Sequence, residues 1–401
     1  MAINRRDFLK ISALASASFM IPSFLKASVR GLQGVNANEK VLIVVQLSGG
    51  NDGLNTVVPF RNDNYYVLRP KLAIKAKDVL KMNDELGLNP DMTGLKELCD
   101  NGYLAIVNNV GYPNPDRSHF RSMDIWQTAS NSNEYLSSGW VGRYLDSECN
   151  GCNNYYHAIE ADETLSLALK GKTKTGLAFQ DVERFYFMSN KKLYNDYEKK
   201  SKADINQNEN VAYLYKILAE ATSNAVLIHN KSKIYKSKQK YPDTQFAKNL
   251  KMISELIISG LETKIYYTSF SGFDTHVNQN NKQNVLLKQY SEAIKAFTDD
   301  LKQNGRINDI LILTFSEFGR RVQENASGGT DHGTASNVYL ISGSLKQKGI
   351  TNSAPDLTNL DHGDLKYNVD FRSIYQNILK DWLSANPKSI LTRDFEKISI
   401  I

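Results

Sequence analysis

Five short runs of nearly unbroken apolar residues set the terms on which this chain can fold. They are Val41-Leu42-Ile43-Val44-Val45-Gln46-Leu47, Leu104-Ala105-Ile106-Val107, Lys264-Ile265-Tyr266-Tyr267-Thr268-Ser269, Ile310-Leu311-Ile312-Leu313-Thr314-Phe315 and Asn337-Val338-Tyr339-Leu340-Ile341. Each is rich in β-branched or aromatic side chains and too short for a buried helix. Strands apolar on both faces read as parallel strands covered by helices on each side. Helical patterns fall between them, near 210–222, 244–260, 282–303 and 370–384. In the third, Val285, Leu286, Gln289, Ala293 and Phe297 share one face. Strands alternating with helices predict a doubly wound α/β fold, its mostly parallel sheet flanked by helices. In such folds ligands gather outside the carboxyl ends of the strands, so the residues just after each run carry the functional weight.

The first residues serve another purpose. Asn4-Arg5-Arg6-Asp7-Phe8-Leu9-Lys10 matches the bacterial twin-arginine export pattern. The stretch from Ile11 to Ile21 is mildly apolar and too short to span a bilayer, as the central region of a signal peptide should be. Pro22 ends it, and Val35-Asn36-Ala37 offers a cleavage site. The expectation is a signal peptide over 1–37 and a single α/β domain over 38–401. The chain would pass folded through the twin-arginine translocase and reside in the periplasm or be secreted. No later run has the roughly 18 continuous apolar residues of a membrane span.

Composition narrows the partners. The formal charge is +6, but residues 1–37 contribute +4 of it, leaving +2. That is too little to expect nucleic-acid binding. Cys149-Asn150-Gly151-Cys152 has no second CxxC to complete a structural zinc site. Its Asn-Gly turn allows either a local disulfide or two free thiols.

Four polar clusters follow the apolar runs. Ser48-Gly49-Gly50-Asn51-Asp52-Gly53 puts Asp52 at the sheet edge, as a ligand-binding carboxylate or as turn chemistry. Pro113-Asn114-Pro115-Asp116-Arg117-Ser118-His119 leads into a helix running through Trp126 and capped by Asp116 or Ser118. There Ser118, beside Arg117, His119 and Arg121, reads as a nucleophile or anion cradle, or simply as the N-cap. Ser271-Gly272-Phe273-Asp274-Thr275-His276 offers Asp274 and His276 as a metal-ligand pair or as an exposed loop. Ser316-Glu317-Phe318-Gly319-Arg320-Arg321 and Gly329-Thr330-Asp331-His332-Gly333 add Glu317, Asp331 and His332, with Arg320 and Arg321 able to bind an anion. Carboxylates gathered at one site repel unless a cation or protons intervene. Asp361-His362-Gly363-Asp364 reads as a plain turn.

These motifs, with the Arg5-Arg6 signal, resemble the bacterial family catalogued as domain of unknown function 1501, and the likeness runs essentially from the signal to the carboxyl terminus. That family is similar in fold to the alkaline phosphatase and sulfatase superfamily. The resemblance implies a two-metal hydrolase plan. Asp52, Asp274, His276, Glu317, Asp331 and His332 would be metal ligands, and Ser118 the nucleophile. Arg117, His119 and Arg320 would complete the catalytic set. The sequence departs from the plan at Glu317-Phe318, where the superfamily has an Asp-His pair. Two zinc ions, a single ion, calcium or magnesium held by carboxylates, or no metal all remain open. The implied activity is hydrolysis of phosphate or sulfate esters. The alternative is a non-catalytic envelope or secreted protein that binds a glycan or a partner in the same cleft.

Overall fold

The computed structural model describes residues 40–148, 157–189 and 224–401. The Cys149–Cys152 turn and the helix expected near 210–222 lie outside these residues, as does the signal segment. Among the described residues Cys99 is a free, partly buried thiol.

One nine-stranded sheet organises the chain. Its strands are β1 (Val41–Ser48), β2 (Leu104–Gly111), β3 (Ala158–Glu160), β4 (Leu177–Ala178), β5 (Ile265–Ser271), β6 (Ile310–Phe315), β7 (Ser336–Ile341), β8 (Gly349–Ile350) and β9 (Val369–Asp370). The order across the sheet is β8-β2-β7-β6-β1-β5-β3-β4, with β9 also paired to β2. β1 sits centrally, parallel to β5 with Leu42 opposite Ile265, and parallel to β6 with Val41 opposite Ile310. A separate small sheet joins Val57–Val58, Gly87–Leu88 and Leu80–Lys81.

Alternation along β1 sends its side chains into two cores. Val41, Ile43, Val45 and Leu47 face one side, covered by helices α1 (Thr93–Asp100), α4 (Gln245–Ile258) and α5 (Gln279–Gln303). Leu42 and Val44 face the other, covered by α2 (His119–Thr128), α3 (Trp140–Glu148) and α6 (Phe371–Asn377). Trp126, Trp140 and Trp382 anchor that second layer. The fold is therefore the mixed, mostly parallel sheet between helical layers that the apolar runs predict.

Two details differ from expectation. First, β7 is antiparallel to both neighbours, β2 and β6. An unbroken apolar run reports burial on both faces and carries no information about direction. Second, the expected face of α5 is buried only in part: Ala293 and Phe297 lie in the core with Leu287, Tyr290, Ile294 and Leu301, while Val285 is 55% exposed. Near the amino end the buried positions are instead Gln279 and Gln283. Gln283 Nε2 donates to the carbonyl of Asp52 at 3.0 Å.

Candidate functional site

The reversed direction of β7 decides where the site forms. A strand antiparallel to its neighbours begins at the edge where they end. The loops after β1, β2, β5 and β6, and the loop before β7, therefore share one edge of the sheet. They bring together His119 from the start of α2, Asp274 and His276 from beyond β5, Glu317 and Arg320 from beyond β6, and His332 from the approach to β7.

Asp274 is the hub. Its Oδ1 lies 2.7 Å from Arg320 Nη2, 3.0 Å from His276 Nε2 and 3.2 Å from His332 Nε2, and its Oδ2 lies 3.6 Å from His119 Nε2. Burial opposes ionisation of this half-exposed carboxyl. The hydrogen bond from Arg320, with the neighbouring imidazoles, overcomes it and holds the pKa down at about 2. One ligand atom from each of His119, Asp274 and His332 lies within 4.8 Å of the other two.

Each imidazole is oriented from behind. His119 Nδ1 donates to Glu317 Oε1 at 2.9 Å. The same oxygen accepts from Gly49 N at 2.8 Å. The bond to Glu317, working against burial, raises the pKa of His119. His332 Nδ1 lies 2.8 Å from the carbonyl oxygen of Arg117. A carbonyl only accepts, so this nitrogen carries the proton. Burial lowers the pKa of His332, which favours the neutral ring with a lone pair on Nε2. His276 Nδ1 faces Asp331 Oδ1 at 3.4 Å, and its Nε2 stands 3.0 Å from His332 Nε2. The Nε2 atoms of His276 and His332 and an ionised carboxylate thus converge, an arrangement that a cation or a shared proton between them would satisfy. The neutral-imidazole and carboxylate donor set suits a transition metal such as zinc better than calcium or magnesium.

The other expected residues are placed differently. Asp52 is fully buried in an ion pair with Arg69 Nη1 at 2.5 Å, and it also accepts from Gln279 Nε2 and from Leu54 N. With its charge matched there, it serves as the cap and anchor of the loop after β1. Glu317 is fully buried and orients His119, and Asp331 backs His276, so both stand behind the imidazoles. Arg320 is buried and donates to the carbonyls of Gly49, Gly50, Phe273 and Thr330 as well as to Asp274. It is a clamp between loops, whereas Arg117 and Arg321 are partly exposed and face the buried Asp364. Ser118 holds the N-cap position of α2 without making a capping bond; Asp116 Oδ1 accepts from its N–H at 2.7 Å instead. Ser118 is exposed and immediately precedes His119.

Sequence reasoning missed Arg69, Phe318 and Asp364. The Phe318 ring packs on His119 and His332, with centroids 4.8 and 4.7 Å away. It also accounts for Gly50, where an added Cβ would lie 2.2 Å from the ring and where φ is +73°. Asp364 sits in the turn read as plain, yet its fully buried carboxylate pairs with Arg117. None of these residues carries a local signal, because each partner is distant in the sequence.

Fold and site together define an α/β protein with a His/Asp/Arg centre at the carboxyl edge of a mostly parallel sheet. The chain belongs to the family described as "Protein of unknown function (DUF1501)", whose model matches residues 39–386. No curated protein sequence matches it. Several solved structures align over most of the chain. The C-terminal periplasmic domain of EcEptC from Escherichia coli, in complex with Zn, is 11% identical; the match covers 76% of this chain and 73% of that one, with a TM-score of 0.38. The lipoteichoic acid synthase LtaP from Listeria monocytogenes is 10% identical over 78% and 68% of the chains, with a TM-score of 0.40. The PsFucS1 sulfatase from Pseudoalteromonas sp. is 11% identical over 84% and 70%, with a TM-score of 0.37.

Proposed function

We propose that this chain is an exported, metal-dependent hydrolase of phosphate or sulfate esters. The observation that carries the reading is the convergence of His276 Nε2, His332 Nε2 and the ionised Asp274 within about hydrogen-bond distance of one another, with His119 Nε2 aimed at the same carboxylate. His119, Asp274 and His332 would hold one divalent ion, with His276 as the adjoining donor. The donor types favour zinc. A bound divalent ion supplies Lewis acidity toward an ester oxygen or lowers the pKa of a bound water. Asp52, matched by Arg69, and Phe318, which packs against His119 and His332, take no part in holding the ion.

The chain's own residues supply the rest. Glu317, Asp331 and the Arg117 carbonyl fix the three rings, as carboxylates and carbonyls behind metal-binding histidines do. Arg117 and Arg321 offer planar donors to an anionic group at the mouth. Ser118, at the start of α2, is the residue we assign as nucleophile, with the helix N-terminus favouring negative charge there. The ester class rests on the motif resemblance. Export rests on Arg5-Arg6, with residues 1–37 removed and 38–401 acting as one domain. Among the described residues no helix is long and apolar enough to cross a membrane.

A second reading keeps the cleft for recognition of a glycan or envelope component without turnover. It is favoured by the clamped Arg320 and by the absence of a capping or orienting bond on Ser118. Elemental analysis after zinc loading, with wild type, D274A and H332A, tests the first reading. Stoichiometric zinc in wild type and none in the variants, with turnover of aryl phosphate or sulfate esters lost in S118A, is the expected result. Zinc binding without turnover of either ester would leave the recognition reading. No zinc in wild type would overturn the metal centre.

A further inference from the structure

We infer that Asp364 is a positioning residue for the candidate centre, acting through Arg117 on the ring of His332; the inference rests on the site proposed above. The residue lies in a tight turn in which Asp361 and Asp364 bridge each other, His362 has φ +50° and Gly363 has φ +89°. That geometry turns the Asp364 side chain inward, where it is fully buried. Its Oδ2 accepts from Arg117 Nη2, and its Oδ1 lies 3.8 Å from Arg321 Nε with no hydrogen-bond partner. A buried carboxylate satisfied on one oxygen is costly to retain for packing alone.

The same turn also touches the loops that carry Arg321 and His332. The Gly363 carbonyl accepts from Val322 N, and the Leu365 carbonyl accepts from Thr334 Oγ1 at 2.6 Å. Thr334 lies two residues beyond His332, and Val322 lies next to Arg321. Asp364 thereby pulls the Arg117 loop against the loops bearing Arg321 and His332. The consequence falls on one atom pair. The Arg117 main-chain oxygen that meets His332 Nδ1 at 2.8 Å belongs to the residue whose guanidinium Asp364 holds. Fixing that carbonyl keeps the proton on Nδ1 and the lone pair on Nε2, the side facing Asp274 and His276.

The test is the protonation pattern of the His332 ring, read by long-range nitrogen–proton NMR on the metal-free protein. Wild type should show the Nδ1–H tautomer. D364N should show a mixture of tautomers. R117Q, which removes the same ion pair from its exposed side, should reproduce that mixture, and the double variant should add nothing further. Zinc affinity, measured by chelator competition, should fall about 10-fold or more in each variant. A wild-type His332 protonated on Nε2, or an Nδ1–H tautomer unchanged in both D364N and R117Q, would overturn the inference. These ring readouts do not need metal, so failure of zinc to bind wild type would sink the metal centre and leave the positioning result to stand or fall separately.

Discussion

Arg320 gives the site a fixed positive charge in place of a mobile one. Its guanidinium is buried, and its donors are spent on Asp274 and four carbonyls drawn from three loops. Replacing it with Met would leave Asp274 unpaired and those carbonyls unsatisfied. The expected cost is about 3 kcal/mol in urea unfolding, mostly from the buried carbonyls left without a donor; a loss under about 1 kcal/mol would show the clamp to be dispensable. Glu317 acts on a single ring. Its bond raises His119, so Glu317→Gln should bring the His119 pKa down in a proton NMR titration. The sign for stability follows from linkage. A histidine raised in the folded state adds stability that is complete below its unfolded pKa and fades as pH rises through the folded value. Wild type should therefore exceed E317Q in stability at about pH 6 and lose that lead toward pH 8. The residue types of Asp274, His276, His119 and His332 were legible in the motifs. Their division into inner donors and outer supports was not, because Gly49 and Glu317 meet across 268 positions.

Among the elements, β7 shows where local reading stops. Its apolar run marks a buried strand correctly, but only the pairing with β2 and β6 reveals its direction, and direction is what delivers His332 to the shared edge. The short strand β3 carries a different consequence. Glu160 ends it, nearly fully buried, and its Oε2 accepts from Ser166 N at 2.6 Å. Burial, assisted by nearby Asp162, pushes its pKa up to about 7. A carboxyl raised in the folded state stabilises fully below its unfolded pKa, and that contribution is lost as pH rises through about 7. Glu160→Gln keeps an acceptor for Ser166 N and removes the buried charge. The variant should match wild type near pH 5 and exceed it by about 2 kcal/mol near pH 8.5 in chemical denaturation. Equal stability at both pH values would place the Glu160 carboxyl in a normal, hydrated state.

At the scale of the molecule, the twin-arginine motif and the centre make linked demands. A site assembled from loops around positions 119, 274 and 332 exists only once the sheet has formed. Export of folded cargo suits such a site. Arg5→Lys with Arg6→Lys should keep the protein in the cytoplasm, detected by fractionation, and unimpeded export would remove the basis for that route. Ligands drawn from segments so far apart also make metal binding a brace on global unfolding. A metal that binds the native state alone stabilises by RT ln(1 + [L]/Kd), about 2.7 kcal/mol at one hundred times Kd. For a domain of this size that is a rise in Tm of roughly 3–4 °C. Zinc should produce that rise in wild type and not in H332A, and a chelator should reverse it. Calcium or magnesium should do little, because imidazole nitrogens make up most of the donor set. A rise with calcium but not zinc would instead mean that carboxylates such as Asp331 and Asp274 bind the ion while the histidines stand aside.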